Sequence, residues 1–171
     1  GIVGYIGQKE KKNIILNGLK ELEYRGYDSS GMAIMDKNGK IDCFKAVGKI
    51  KNLEEKTKNF SSTGQGIAIG HTRWATHGKP TEINAHPHFG EYSFVIHNGI
   101  IENYKELKDE LEKDGIKFLS QTDTEVIVKL FEKINQKESD PFKAFKKTIS
   151  RLIGAYAILL ITKKANGKIF F

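Results

Sequence analysis

The feature that most constrains the fold is that short apolar segments occur in pairs. Two strand-like segments, residues 31–35 and 40–44, flank Asn38-Gly39, a dipeptide that favours a two-residue hairpin turn. Further strand-like segments cover residues 2–6, 66–70, 92–96 and 155–162. Apolar residues at helical spacing cluster between sets of strands instead of following each strand. The pattern predicts an α+β protein with antiparallel sheets, because a parallel sheet would need a helix between successive strands.

Helices are predicted over residues 11–22 and 49–58 and over much of the chain after residue 102. Capping patterns mark three of the later helix starts, and they pair Asn103 with Glu106, Thr122 with Glu125 and Asp140 with Pro141. Asp123 then falls in the first turn of the second of these helices. A carboxylate is stabilised there by the helix dipole, so Asp123 needs no further function to explain it.

Composition excludes several classes of protein. The 171 residues have the size of one domain, and no apolar run approaches the roughly 20 residues of a membrane span. Cys43 is the only cysteine, which excludes an internal disulfide and leads us to expect a cytoplasmic protein. The net charge of +7 raises the possibility of nucleic-acid binding. However, the basic residues are mostly dispersed lysines, and residues 65–100 carry equal numbers of acidic and basic side chains.

Residues 71–90 are the most unusual segment of the chain. Four of the five histidines, the single tryptophan (Trp74) and Arg73 lie between positions 71 and 88. A long ordered loop is more often functional than not, and an arginine there suits a two-pronged bond to a carboxylate. His86 and His88 could instead bind a metal, but no second cysteine or cluster of acids accompanies them. A loop stabilised only by hydrogen bonds is the third interpretation.

A second candidate segment is Asn98-Gly99, which follows the strand predicted over residues 92–96. Asn-Gly is also the commonest tight hairpin turn, so the pair has a purely structural interpretation. The functional interpretation is an oxyanion hole. The asparagine amide and the glycine N–H can both point at one oxygen, since glycine has no side chain to shield its amide.

Together these segments have the order and spacing of a known family. The matching strings are Gly-Ile-Val-Gly at residues 1–4, Glu-Tyr-Arg-Gly-Tyr-Asp-Ser-Ser-Gly at 23–31, His-Thr-Arg-Trp-Ala-Thr-His-Gly at 71–78, and segments 84–88, 97–102 and 122–126. Over all 171 residues the sequence resembles the class II glutamine amidotransferase domain of glucosamine-6-phosphate synthases. The resemblance implies an N-terminal nucleophile hydrolase fold, a four-layer αββα sandwich. It also implies hydrolysis of L-glutamine to glutamate and ammonia through a thioester, with the ammonia used to aminate fructose-6-phosphate.

The resemblance also assigns roles to individual residues. Arg73 would hold the α-carboxylate of glutamine, Asp123 would hold its α-ammonium group, and Asn98 with Gly99 would form the oxyanion hole. Thr76 and His77 would line the glutamine pocket, and Trp74 would lie where the ammonia leaves. Arg25 and Gly26 would lie beside the nucleophile. The family uses no metal or other cofactor for this step, and we expect none.

The sequence departs from the family in two ways. Family members begin Cys-Gly-Ile-Val-Gly, so we expect the nucleophilic cysteine directly before Gly1. Cys43 is expected to be a buried structural thiol without a catalytic role. The family's domain also continues past residue 171 and is followed by two sugar-isomerase domains, so we expect a fragment of a longer, oligomeric enzyme. A non-catalytic, glutamine-binding regulatory domain is the alternative if no nucleophile is present.

Overall fold

A computed structural model describes residues 1–25, 28–74 and 78–171, apart from the side chain of Arg25. The strands of the described residues are β1 (Ile2–Gly7), β2 (Ser29–Asp36), β3 (Ile41–Val47), β4 (Gly66–Arg73), β5 (His88–Phe89), β6 (Ser93–Gly99) and β7 (Tyr156–Thr162). The α-helices are α1 (Lys11–Glu21), α2 (Ile50–Lys56), α3 (Tyr104–Lys113), α4 (Glu125–Lys137) and α5 (Pro141–Ile149). None of them is long and apolar enough to cross a membrane.

The strands form two antiparallel sheets. The first has the order β1-β4-β2-β3, and the second has the order β5-β6-β7. The predicted hairpin is the β2–β3 connection, where Gly39 has a φ of 82° that glycine adopts without strain. The α+β class with antiparallel sheets is therefore confirmed.

Three apolar clusters separate four layers. One cluster lies between the two sheets and includes Ile67, Ile69 and Ile96. A second joins α1 and α2 to the outer face of the first sheet, and a third joins α3, α4 and α5 to the outer face of the second sheet. This arrangement is the αββα sandwich that the family resemblance implied, and it is confirmed.

The two faces of β4 show how alternation along a strand builds these layers. Ile67 and Ile69 point between the sheets, whereas Ala68 packs with α1 and α2. Gly70 also faces α1, since a Cβ atom on it would lie 2.3 Å from a methyl carbon of Ile15. The helix therefore approaches the sheet closely here, and every second residue of β4 is left for the inner face.

Two of the predicted helix caps are wrong, and the reason is the same for both. The Asn103 side chain accepts from the Ile153 N–H at 3.0 Å and donates to the Arg151 carbonyl at 2.9 Å, so it bridges to a neighbouring segment. Glu125 accepts from the N–H groups of the two residues at 119 and 120. Main-chain groups of neighbouring connections, which local spacing does not reveal, take the side chains that the sequence pattern assigned to caps. The Asp140 cap is confirmed, with a bond of 2.9 Å from the Phe142 N–H.

The core between the sheets should tolerate truncation poorly. Ile69 is fully buried there, so Ile69→Ala should lower the free energy of unfolding by about 2–5 kcal/mol through lost contacts and a cavity. Ile6→Ala is the matched control in the same sheet. Its side chain is 54% exposed, and the expected loss is below about 1 kcal/mol. Urea denaturation of both variants measures the difference, and equal losses would contradict the proposed layer structure.

Candidate functional site

A polar cavity of about 320 Å³ lies at one end of the space between the sheets. It is bordered by the start of β1, the end of β4, the end of β6 and the segment that precedes α4. The residues that line it are Gly1, His71, Thr72, Arg73, Trp74, His86, His97, Asn98, Gly99, Thr122, Asp123 and Thr124. Residues predicted from distant parts of the sequence therefore meet in one place.

The cavity is a continuation of the apolar core along the same strand faces. In β4 the inner face passes from Ile67 and Ile69 to His71 and Arg73, which are the next two residues at a spacing of two. Arg73 is therefore the last residue of β4, paired with Ser29 of β2, and not the first residue of a loop as its sequence context predicted. A strand holds the guanidinium group more firmly than a loop would.

Arg73 is only 5% exposed, and acidic groups surround it. Its Nη2 donates to the Gly78 carbonyl at 3.1 Å, and its Nη1 lies 3.8 Å from an oxygen of Asp28. Burial lowers the pKa of the guanidinium group, and the charges of Asp28 and Asp123 oppose that shift. Arginine side chains are not deprotonated in proteins near neutral pH, so Arg73 remains a cation.

Asp123 is also buried, and its carboxylate is held in a fixed orientation. One oxygen accepts from the Ile101 N–H at 2.8 Å, and the other lies 3.5 Å from the hydroxyl of Thr124. Asp123 precedes the first residue of α4, Glu125, by two positions, so the sequence placed it slightly too far into the helix. The cavity therefore has a carboxylate and a guanidinium group in its wall.

Asn98 and Gly99 lie at the end of β6 and pair with Ala157 and Tyr156 of β7, so the tight-turn interpretation is wrong. Only glycine fits at position 99. Its φ is 117°, and a Cβ atom would lie 2.1 Å from the carbonyl oxygen of Ala155. The main chain of this strand end therefore runs along the cavity with no side chain in between.

The N–H of Gly99 points into the cavity, as the hydrogen bonds of its neighbours indicate. Alternate N–H groups of an antiparallel strand point to opposite sides. The His97 N–H donates to Nδ1 of His86 at 3.2 Å, and the Ile101 N–H donates to Asp123. Both lie on the side away from β7. Gly99 lies midway between them, so its N–H has the same direction.

Four buried histidines form a layer beneath the cavity: His71, His86, His88 and His97. His71 stacks on His86 with ring centroids 4.0 Å apart, and His86 meets His88 edge-on at 4.8 Å. The hydroxyls of Thr124 and Thr122 lie 3.4 Å and 3.0 Å from Nε2 of His86 and His88. Burial lowers the pKa of His71 to about 3, and it holds the pKa values of His86 and His88 well below 6.5. These rings are therefore neutral.

The metal interpretation of His86 and His88 receives no support from this geometry. Within residues 1–25, 28–74 and 78–171, no three histidine, cysteine, aspartate or glutamate side chains are grouped so that they could hold a metal ion. Cys43 does not line the cavity and sits in β3, where burial raises the pKa of its thiol to about 11. A thiol with that pKa is a poor nucleophile at neutral pH.

The remaining predicted residues have different outcomes. Trp74 is at the rim of the cavity and is 71% exposed. Gly26, Thr76 and His77 lie outside the described residues, and of Arg25 only the main chain, in a short 3-10 helix, is described. Sequence reasoning did not place five residues that support the cavity walls in the glutamine site: His71, His86, His97, Thr122 and Thr124. For His71 a signal was available, because it follows Ile67 and Ile69 at strand spacing.

Comparison with known proteins places this chain in a family whose matched region includes residues of the cavity. The family described as the glutamine amidotransferase domain matches residues 71–171, which include Arg73, Asn98, Gly99 and Asp123. This chain belongs to that family. It is 67% identical over its whole length to the glutamine–fructose-6-phosphate aminotransferase (isomerizing) of Campylobacter jejuni and 57% identical to that of Helicobacter pylori. In both cases the chain spans 28% of the length of the relative.

Solved structures show the same fold in another amidotransferase. The glutamine phosphoribosylpyrophosphate amidotransferase of B. subtilis superimposes with a TM-score of 0.81 at 30% identity. The match covers 95% of this chain and 35% of that chain. The glutamine amidotransferase domain is therefore shared with a protein whose remaining 65% lies outside the match.

The neutral histidine layer predicts a specific dependence of stability on pH. The unfolded chain takes up a proton at each histidine near the ordinary pKa of about 6.5, whereas the folded layer does not. Stability is therefore full above pH 7 and is lost as the pH falls, by about 2 kcal/mol per neutral histidine at pH 5. Urea denaturation at pH 7.5 and pH 5 measures this loss. His71→Gln should show a smaller loss, and identical stability at both pH values would contradict neutral rings.

Proposed function

We propose that this chain is the glutaminase part of its enzyme and hydrolyses L-glutamine to glutamate and ammonia. The observation that carries the proposal is the composition of the cavity between the sheets. One space of about 320 Å³ contains a buried cation, a buried carboxylate and two N–H donors at the end of β6. Each of these groups matches one part of glutamine.

The cation and the carboxylate fit the charged end of the substrate. Arg73 can bind the α-carboxylate through two parallel N–H bonds, and Asp123 can accept from the α-ammonium group. Both side chains are buried, so their bonds to the substrate are little weakened by water. Asp28 and Asp123 lie close enough to Arg73 for their charges to favour its cationic form.

Asn98 and Gly99 fit the other end of the substrate. Asn98 and Gly99 line the cavity, and we propose that the amide of Asn98 and the N–H of Gly99 donate to the side-chain carbonyl of a bound glutamine. That oxygen gains negative charge when the carbonyl carbon becomes tetrahedral. Donors that are already oriented stabilise it at no further cost in reorganisation.

The proposed nucleophile is a cysteine directly before Gly1. The Gly1 nitrogen donates to the Thr72 carbonyl at 2.7 Å and the Thr72 N–H donates to Gly1 at 3.0 Å, so these residues are paired. A preceding residue would extend β1 by one position and lie opposite Arg73. Side chains alternate along a strand, so the side chain of this residue would lie on the same face of β1 as Ile2, which packs between the sheets. It would therefore point toward the cavity.

The chemistry then follows from a thiol and an α-amine on one residue. The α-amine, with a pKa near 8, takes the thiol proton as sulfur attacks the glutamine side-chain carbonyl carbon. The same proton passes to the leaving nitrogen and the C–N bond breaks. Ammonia is released, and the acyl group remains bound to the cysteine sulfur as a thioester. Water, activated by the α-amine, attacks that carbonyl. The C–S bond breaks, glutamate is released, and the thiol regains its proton.

The fate of the ammonia is proposed from the relatives. They are named for amino transfer from glutamine to fructose-6-phosphate, and they are more than three times as long as this chain. We propose that sugar-isomerase domains of the same enzyme use the ammonia, in a cytoplasmic homo-oligomer. Trp74, exposed at the cavity rim, lies where the product would leave toward such a domain.

Loss of Arg73 should affect substrate binding more than turnover. The bond to the α-carboxylate is present both before and during the reaction, so Arg73→Ala should raise KM for glutamine by about 10²-fold, roughly 2–4 kcal/mol. Arg73→Lys should recover part of this, since it keeps the charge but not the two-pronged bond. Arg151→Ala, which removes an exposed arginine elsewhere, is the control. Glutaminase kinetics of the complete enzyme measure the effect. An unchanged KM in Arg73→Ala would exclude the proposed substrate orientation.

Loss of Asn98 should affect turnover more than binding. Its amide meets charge that develops only in the tetrahedral intermediate, so Asn98→Ala should lower kcat by about 10²–10³-fold with little change in KM. Asn98→Asp keeps the size but loses the donor, and it should be at least as slow.

Asn52→Ala, on the surface helix α2, is the control for the Asn98 variants, and an enzyme with alanine before Gly1 provides the blank rate. Normal kcat in Asn98→Ala would exclude the oxyanion hole. If the alanine enzyme binds glutamine and the natural enzyme hydrolyses it no faster than this blank, the domain only binds glutamine.

A further inference from the structure

The side chain of Asn98 makes one contact that the proposed reaction leaves unexplained. Its Oδ1 lies 2.8 Å from Nε2 of His71. His71 belongs to β4 in the first sheet and Asn98 to β6 in the second, so the bond crosses the interface between the sheets. His71 is 3% exposed, whereas Asn98 lies at the exposed end of its strand. A buried ring therefore contacts a side chain that solvent alone would leave free to rotate.

The chemistry of this contact determines where the protons are. An amide oxygen can only accept, so Nε2 of His71 must carry the hydrogen and donate it. In a neutral ring Nδ1 is then a bare acceptor. Nδ1 is buried and makes no hydrogen bond of standard geometry within the described residues, although the main chain of His97 is near the ring.

The ring of His71 has little freedom to turn away. It stacks on His86 with an interplanar angle of 14°. His86 is itself fixed, since its Nδ1 accepts from the His97 N–H and its Nε2 faces the Thr124 hydroxyl. Gly31 lies opposite His71 in the neighbouring strand, and a Cβ atom there would be 2.1 Å from the His86 carbonyl oxygen. The close approach of these chains keeps the stack in place.

We infer that His71 is a positioning residue, whose Nε2–H holds the oxygen of Asn98 so that the NH2 group faces the cavity. Asparagine can rotate its amide by a half turn and exchange donor for acceptor at almost the same shape. The reversed amide would present an oxygen to the developing negative charge and would destabilise it. His71 therefore determines the sign of the Asn98 contribution, although it need not touch the substrate.

The low pKa of His71, about 3, makes the arrangement independent of pH in the working range. Arg73 acts through its positive charge on His86, the ring stacked on His71, and opposes protonation of the stack as burial does. A protonated His71 ring would still donate from Nε2 to Asn98. The ring is neutral because burial disfavours its charged form, and not because the contact with Asn98 requires a neutral ring.

The inference rests on the proposed glutaminase function, and two substitutions of His71 test it in the complete enzyme. His71→Phe keeps a flat ring for the stack and removes the donor. It should lower kcat by at least about 10-fold, up to the loss in Asn98→Ala, with KM for glutamine changed by less than about threefold. His71→Gln places an amide N–H near the position of Nε2 and should recover most of kcat.

A double substitution separates positioning from general damage. If His71 acts only through Asn98, then His71→Phe in the Asn98→Ala enzyme should lower kcat by no more than about twofold further. His88→Phe is the matched control: the same change in the same histidine layer, at a residue that does not line the cavity. It should keep kcat within about twofold of the natural enzyme while reducing stability comparably. Thermal unfolding of all variants confirms that they are folded.

Each outcome decides between the two proposals. If Asn98→Ala loses kcat and folded His71→Phe does not, the positioning role is wrong and the glutaminase proposal stands. If His71→Phe and Asn98→Ala have fully additive effects, His71 does not act through Asn98, and the inference is again wrong. If Asn98→Ala keeps kcat, the oxyanion role of Asn98 and the positioning role of His71 are both wrong, whereas the measured glutaminase rate still supports the proposed function. Nitrogen NMR of the His71 ring is independent of activity, and a proton on Nδ1 instead of Nε2 would overturn the inference.

Discussion

The packing of the two antiparallel sheets against each other is the constraint on which the rest of the structure depends. Isoleucines such as Ile69 and Ile96 fill the space between them, and helices cover both outer faces. Because side chains alternate along a strand, whatever follows those isoleucines at a spacing of two must also point inward. The cavity is the place where that inner face changes from apolar to polar without leaving the strands.

Desolvation gives this polar end its properties. Arg73 is buried but has acidic neighbours, whereas His71, His86 and His88 are buried without them and stay neutral. Among the described residues that line the cavity, Arg73 and Asp123 carry the fixed charges, while the histidine layer beneath them carries neutral hydrogen bonds. A layer of this kind can hold donors in place without adding a charge of its own.

The likeness to a phosphoribosylpyrophosphate amidotransferase shows that this fold also occurs in another, longer amidotransferase. About 35% of that protein superimposes on this chain, at 30% identity. A cavity made from strand ends needs only its own two sheets to keep its geometry. Trp74 lies exposed at the rim of this cavity.

The sequence by itself determined the α+β class, the β2–β3 hairpin, most helices and the family, because these depend on local periodicity and on residue strings. It also indicated Arg73, Asp123, Asn98 and Gly99. Only the tertiary structure placed Asn98-Gly99 within a strand and Arg73 at the end of β4, since a strand end and a turn have the same local composition. The contact of His71 with Asn98 was decided there as well. It joins residues 27 positions apart across two sheets, and no local pattern contains the packing that brings them together.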